Sequence, residues 1–133
     1  MILVDTSILI SYFKNDSSEM NAKFDQLLEM NIPFGINVNI YQELLQGAKN
    51  RNEFDKMNEY LSSIRFYDLK YGRKSYENAA KIYYTCRRKG ISIRSSIDLL
   101  IAETAIENDL YLMHNDRDFD NIHKVYPELK LFS

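Results

Sequence analysis

Ile2-Leu3-Val4-Asp5-Thr6-Ser7 is a short β-branched apolar run closed by three residues of the kind that cap helices. It reads as a strand that turns straight into a helix, and the rest of the chain repeats that alternation. A short helix is expected through Ile8 to Phe13, ended by the polar loop Lys14-Asn15-Asp16-Ser17-Ser18, and Phe24, Leu27 and Leu28 mark a second helix over Glu19 to Met30. Pro33 breaks the pattern before a second strand, Phe34-Gly35-Ile36. Asn37 or Asn39 can cap the helix that carries Tyr41, Leu44 and Leu45 and stops at Gly47. A helix over Asn52 to Ile64 leads to Arg65-Phe66-Tyr67-Asp68-Leu69, whose alternation predicts a third strand. Arg73 to Lys89 forms a long helix with Tyr76, Ala79, Ala80, Tyr83 and Cys86 expected on one side and Gly90 as its stop. Ser96 to Asn108 is the clearest helix, with Ile97, Leu100, Ile101, Thr104 and Ala105 at i, i+3, i+4 spacing. Leu110 to Met113 and Leu129 to Phe132 complete the pattern as fourth and fifth strands. Strands alternating with helices imply a parallel sheet with helices on both faces, an α/β class with three α/β/α layers.

The 133 residues suit one domain, 1–133, without repeat or linker, and 45% hydrophobic content supports a core that needs no staple. Four glycines and two prolines argue against a turn-rich all-β fold. The apolar runs are too short to span a membrane, and Met1-Ile2-Leu3-Val4 meets Asp5 without a basic leader. The single cysteine, Cys86, excludes an internal disulfide and fits a reducing, cytoplasmic setting. The net charge of −2 gives no global nucleic-acid footprint, but the charges are unevenly spread. From Lys70 to Arg94 there are eight Lys or Arg against Glu77; from Ser95 to Asp120 there are seven acids against Arg117. This is either a pair of solvated helix faces or a cation-binding pole beside a phosphate-attracting rim.

In open α/β sheets, ligands bind outside the carboxyl ends of the strands. Asp5 ends the first strand, Asp116 and Asp118 follow the fourth, Glu43 lies in the helix after the second, and Asp98 occupies the first turn of the clearest helix. Carboxylates gathered at one sheet edge repel unless a cation neutralises them. Oxygen-only ligands suit hard ions such as Mg²⁺ or Mn²⁺, which also bind substrate phosphate. Taken singly, each residue has a simpler account. Asp5 caps a helix, Asp98 belongs with Ser95 to a loose capping box, Glu43 is a solvated helical glutamate, and Asp116 and Asp118 form an Asx-turn or cap. Asp116-Arg117-Asp118-Phe119-Asp120 is not a calcium loop, because its sixth and twelfth positions are Asn121 and Pro127. His114 and His123 lack partners at zinc spacing, and no Gly-rich phosphate loop occurs.

Taken together, Ile2-Leu3-Val4-Asp5-Thr6-Ser7, Gln42-Glu43-Leu44-Leu45-Gln46-Gly47, Asp98-Leu99-Leu100-Ile101-Ala102 and Met113-His114-Asn115-Asp116-Arg117-Asp118-Phe119 resemble the PIN-domain family, and within it the VapC toxins of VapBC toxin–antitoxin systems. The resemblance implies a Mg²⁺- or Mn²⁺-dependent endoribonuclease in which metal-activated water attacks a phosphodiester, leaving a 5′-phosphate and a 3′-hydroxyl. By the same resemblance Asp5, Glu43, Asp98 and Asp116 form the acidic quartet, with Asp118 as a further acidic position. Asp5, Asp98 and Asp116 would be metal ligands, and Thr6 or Ser7 would orient Asp5. His114 departs from the family, where a threonine or serine is usual. Arg87, Arg88, Lys89 and Arg94 are candidate contacts to the RNA backbone. The expected partners are an RNA substrate, a small antitoxin and a second copy of the chain, with Phe13, Tyr41 and the helix from Glu19 to Met30 as apolar surface for them. The rival readings are a receiver-type regulatory module, a PIN fold that only binds, and a PIN nuclease of RNA maturation. A receiver lacks a role for Glu43 and Asp98.

Overall fold

In the computed structural model, which describes residues 1–14 and 19–133, strand β1 (Ile2–Val4) is the central strand of a five-stranded sheet. All three of its residues are buried, as expected of a strand with parallel neighbours on both sides and helices over both faces. The chain continues through α1 (Thr6–Phe13), α2 (Glu19–Glu29), β2 (Phe34–Ile36), α3 (Val38–Gln46), α4 (Arg51–Ser62) and β3 (Arg65–Phe66). It then passes through α5 (Arg73–Arg88), α6 (Ser96–Glu107), β4 (Tyr111–Met113), α7 (Arg117–Val125) and β5 (Lys130–Leu131). The sheet order is β3-β2-β1-β4-β5 and every pairing is parallel. Strands are thus added outward from β1 on one side, after which the chain crosses back to add β4 and β5 on the other. Right-handed crossovers then put α1–α4 over one face and α5–α7 over the other. Most of the helix packing follows that division, with α1 against α2 and α3, and α5 against α6 and α7, while α3 also meets α6. The expected α/β/α layering is borne out. The loop expected at Lys14 to Ser18 falls, from Asn15 onward, outside the described residues.

Three local expectations are corrected. The third strand stops at Phe66, although Tyr67 N–H still donates to Ile36 O at 2.8 Å. The next residues are taken by the end of α6 instead of the sheet. Asn108 Nδ2 donates to Asp68 O at 2.9 Å, and Lys70 N–H to Glu107 Oε1 at 2.7 Å. On α5 the buried face is Ser75, Ala79, Ile82 and Cys86; Ala79 and Cys86 lie inward as expected, but Ser75 and Ile82 take the places expected for Tyr76 and Tyr83, which meet solvent with Tyr84. Ser75 can face inward because its hydroxyl is satisfied, donating to Glu107 Oε1 at 3.0 Å and accepting from Tyr71 N–H at 3.1 Å. Finally, α4 begins at Arg51 under an Asn50 cap and ends before Ile64.

Gly35 has a steric reason. A Cβ there would lie 2.5 Å from the Tyr67 ring and 2.6 Å from Arg65 O, so the close approach of β3 to β2 requires a residue without a side chain. Between α5 and α6, Glu103 is buried beside Glu107, and Asn78 Nδ2 reaches Glu103 Oε2 at 3.5 Å. Burial and the neighbouring Glu107 push the Glu103 carboxyl well above the usual carboxylate range.

Candidate active site

Beside β1 the strand order reverses direction, so the crevice at the carboxyl ends of β1 and β4 is where a ligand is expected. Asp5 is fixed there by its backbone, whose N–H donates to Met113 O at 2.9 Å and extends the β1–β4 pairing by one residue. Its side chain caps α1 and is 4% exposed. Asp5 Oδ2 accepts from Ser7 Oγ at 2.8 Å and from Ser7 N–H at 3.3 Å, and Ser7 Oγ accepts from Asn115 N–H at 3.1 Å. Ser7 therefore orients Asp5 and ties it to the β4–α7 loop. Thr6 has a different partner. Its hydroxyl donates to Glu43 Oε1 at 2.8 Å and so brings the α3 carboxylate to the same edge. Burial lifts the Asp5 pKa from 3.8 to about 6, against the Ser7 hydrogen bonds, which favour the anion.

Asp98 enters from the opposite layer. Ser95 caps α6, but its hydroxyl accepts from Ile97 N–H at 3.2 Å and not from Asp98 N–H. Among the described residues the Asp98 carboxylate has no hydrogen-bond or ion-pair partner, so the capping-box account of this residue fails. It faces other carboxylates instead. One oxygen from each of Asp98, Asp116 and Asp118 lies within 4.8 Å of the others. Burial raises the Asp98 pKa from 3.8 to about 7, assisted by the charges of Asp5, Asp116, Asp118 and Glu43. Asp5, expected to be a ligand alongside Asp98 and Asp116, stands outside the 4.8 Å group and acts on Asp98 through its charge. Asp118 takes its place in that group.

Asp116 caps α7 by accepting from Asp118 N–H at 3.0 Å. Just before it, His114 Nδ1 accepts from Asp116 N–H at 3.0 Å, which leaves the ring proton on Nε2, 3.4 Å from Asp120 Oδ1. Burial against Phe119 keeps the imidazole below its ordinary pKa, so the ring is a neutral brace for the turn that presents Asp116. Asp120 was missed in the sequence, although its place in the Asp116-Arg117-Asp118-Phe119-Asp120 alternation was a usable signal. Of the basic candidates, Arg94 joins the acidic group, Arg88 turns onto Tyr84, and Arg87 and Lys89 face solvent on α5 and at its end. Beside Glu43, a cleft of about 780 Å³ is lined by Ile10, Phe13, Leu44, Met57 and Tyr60. Phe13 was expected at such a surface and is there. Tyr41 is not, since its ring packs on Phe66 and its hydroxyl donates to Asn58.

The donor set is all carboxylate oxygen, with one member unpaired and strained by like charge, and it fits a hard divalent cation such as Mg²⁺ or Mn²⁺. The family model of the PIN domain matches residues 2–125. The chain belongs to the PIN-domain family. Ribonuclease VapC11 of Mycobacterium tuberculosis is similar to this PIN domain, 31% identical over 126 residues, covering 94% of this chain and 93% of the relative. A VapC ribonuclease of Mycobacterium bovis matches it equally well, at 31% over the same span. Among solved structures, VapBC2 from Rickettsia felis bound to a promoter DNA fragment shares the fold with a TM-score of 0.75 and 23% identity, covering 99% of this chain and 98% of that one. A toxin–antitoxin complex from Klebsiella pneumoniae aligns with a TM-score of 0.67 at 26% identity over 90% of each chain.

Proposed function

We propose that this single PIN domain is a divalent-metal-dependent endoribonuclease and the toxin of a VapBC-type toxin–antitoxin pair. The observation that carries the reading is the unpaired Asp98 carboxylate facing Asp116 and Asp118, with Asp5 and Glu43 on the same sheet edge. Asp98, Asp116 and Asp118 are the ligands for Mg²⁺ or Mn²⁺, and Asp5, held by Ser7, completes the acidic set from the β1 side. The bound ion would supply charge neutralisation for the phosphodiester and a water made acidic enough to attack at neutral pH. Glu43, whose carboxylate accepts from the Thr6 hydroxyl, would accept a proton at the edge of the crevice in this reading. His114 remains a neutral brace. The Thr6 and Ser7 hydroxyls are engaged with Glu43 and Asp5, and the reading takes a water as the attacking group, leaving a 5′-phosphate and a 3′-hydroxyl.

RNA is the substrate in this reading, and Arg87 and Lys89, exposed at the end of α5, are candidate contacts to its phosphates. The apolar cleft beside Glu43 offers a helix-sized groove for an antitoxin that would cover the carboxylates. A homodimer and a cytoplasmic setting belong to the same reading. Among the described residues no helix is long and apolar enough to cross a membrane. The test is cleavage of a labelled RNA by wild type, Asp5→Asn and Asp98→Asn in Mg²⁺ and in EDTA. Both variants, and wild type in EDTA, are expected to lose cleavage by at least about a hundredfold, the scale of removing a charge-stabilising group. Cleavage by either variant at the wild-type rate overturns the reading.

A further inference from the structure

Arg94, in the loop between α5 and α6, spans the two carboxylates that α7 contributes to the acidic group. Its Nε lies 3.3 Å from Asp118 Oδ2, its Nη2 lies 3.4 Å from Asp116 Oδ1, and its backbone N–H also donates to Asp118 Oδ2 at 3.3 Å. The guanidinium is split between two residues instead of gripping one carboxylate by its fork, and both side-chain distances are long for charged partners. The Arg94 side chain is 74% exposed, whereas Asp118 is 7% exposed. A cation held this way is loosely bound and can leave for solvent at little cost. Asp98, the third member of the group, receives nothing from Arg94. The arginine therefore sits on one side of the acidic group and leaves the other side bare.

We infer that Arg94 is a built-in counter-cation of the acidic site, which neutralises Asp116 and Asp118 in the metal-free protein and competes with the divalent ion for them. The inference rests on Asp98, Asp116 and Asp118 being the cation ligands. An ion entering among these three oxygens meets a positive charge in contact with two of its ligands. That charge must swing outward, and even displaced it remains on a loop next to the site. Metal affinity is thereby held below what the carboxylates alone would give, and the site stays ordered when no metal is present. A unit charge within several ångströms of a divalent ion near a protein surface changes its affinity on the order of tenfold.

The test is Mn²⁺ binding to the RNA-free protein, measured by calorimetry and by the electron paramagnetic resonance signal of free Mn²⁺. Arg94→Gln is expected to bind Mn²⁺ about tenfold more tightly than wild type. Arg94→Lys, which keeps the charge, is expected to stay within about threefold of wild type. Unchanged or weaker binding by Arg94→Gln overturns the inference, as does a gain by Arg94→Lys equal to that of Arg94→Gln. Asp98→Asn is the reference. If it binds Mn²⁺ as wild type does, the ligand assignment fails, whatever Arg94 does.

Discussion

Asp5→Asn should make the metal-free protein more stable at pH 8 while removing its function. Asp5 is 4% exposed and its pKa rises from 3.8 to about 6, chiefly because burial penalises the anion. At about 1.36 kcal/mol per pH unit, that rise makes the charged form cost the fold about 3 kcal/mol. The folded chain holds the proton more tightly than the unfolded chain. Wild-type stability from this group is therefore greatest near pH 4 and below, falls as the pH rises from about 4 to about 6, and is flat above. Asparagine removes the charge and still caps α1, accepting from Ser7 through its carbonyl oxygen, but it forgoes about 0.3–1 kcal/mol of charge–dipole attraction. The net gain at pH 8 is about 2 kcal/mol, or roughly 6–8 °C in Tm for a chain of this size. The assay is thermal unfolding of both proteins in EDTA at pH 4 and pH 8. The variant should melt higher at pH 8 and together with wild type at pH 4. A variant less stable than wild type at pH 8, or an equal gain at both pH values, refutes the account of Asp5 as a buried, electrostatically costly carboxylate.

Gly35→Ala should destabilise the fold by about 1–3 kcal/mol in urea unfolding, and Tyr67→Ala should not rescue it, because Arg65 O still blocks the new Cβ at 2.6 Å. Mg²⁺ at ten times its Kd should raise wild-type stability by about 1.4 kcal/mol, and the same addition should leave the melting of Asp98→Asn unchanged. Glu103 has a raised pKa, so the folded chain binds its proton preferentially and wild-type stability should fall as the pH rises from mildly acidic to mildly alkaline. Glu103→Gln should flatten that decline, read as a smaller Tm difference between pH 5 and pH 9.

The strand–helix alternation was legible because β1, β2 and β4 are short apolar blocks and most helices begin at a polar cap, as Ser95 and Asn37 do. The end of β3 was not, because Leu69 looks like a strand residue until Asn108 and Glu107 claim the backbone around it. Two positions of the α5 face differ for a related reason. Tyr76 and Tyr83 are apolar enough to mimic a core stripe, and nothing local reveals that Ser75 finds Glu107 across the interface. At the site, the residue types announced a cation centre, but their division of labour depended on distances. Thr6 serves Glu43, Ser7 serves Asp5, and the three carboxylates gathered within 4.8 Å of one another are Asp98, Asp116 and Asp118. Arg94 was noticed for its charge alone, and its grip on two carboxylates is a tertiary fact.

The Ser7–Asn115 hydrogen bond joins positions 108 apart in the chain. Closing so long a stretch costs loop entropy, so this contact depends on the β1–β4 pairing that brings the two segments together. A ribosome midway through this message carries Asp5 and Glu43 but neither Asp116 nor Asp118, and so no complete cation-binding group. The proposed cation group can assemble only once synthesis has passed β4 and that strand has paired with β1.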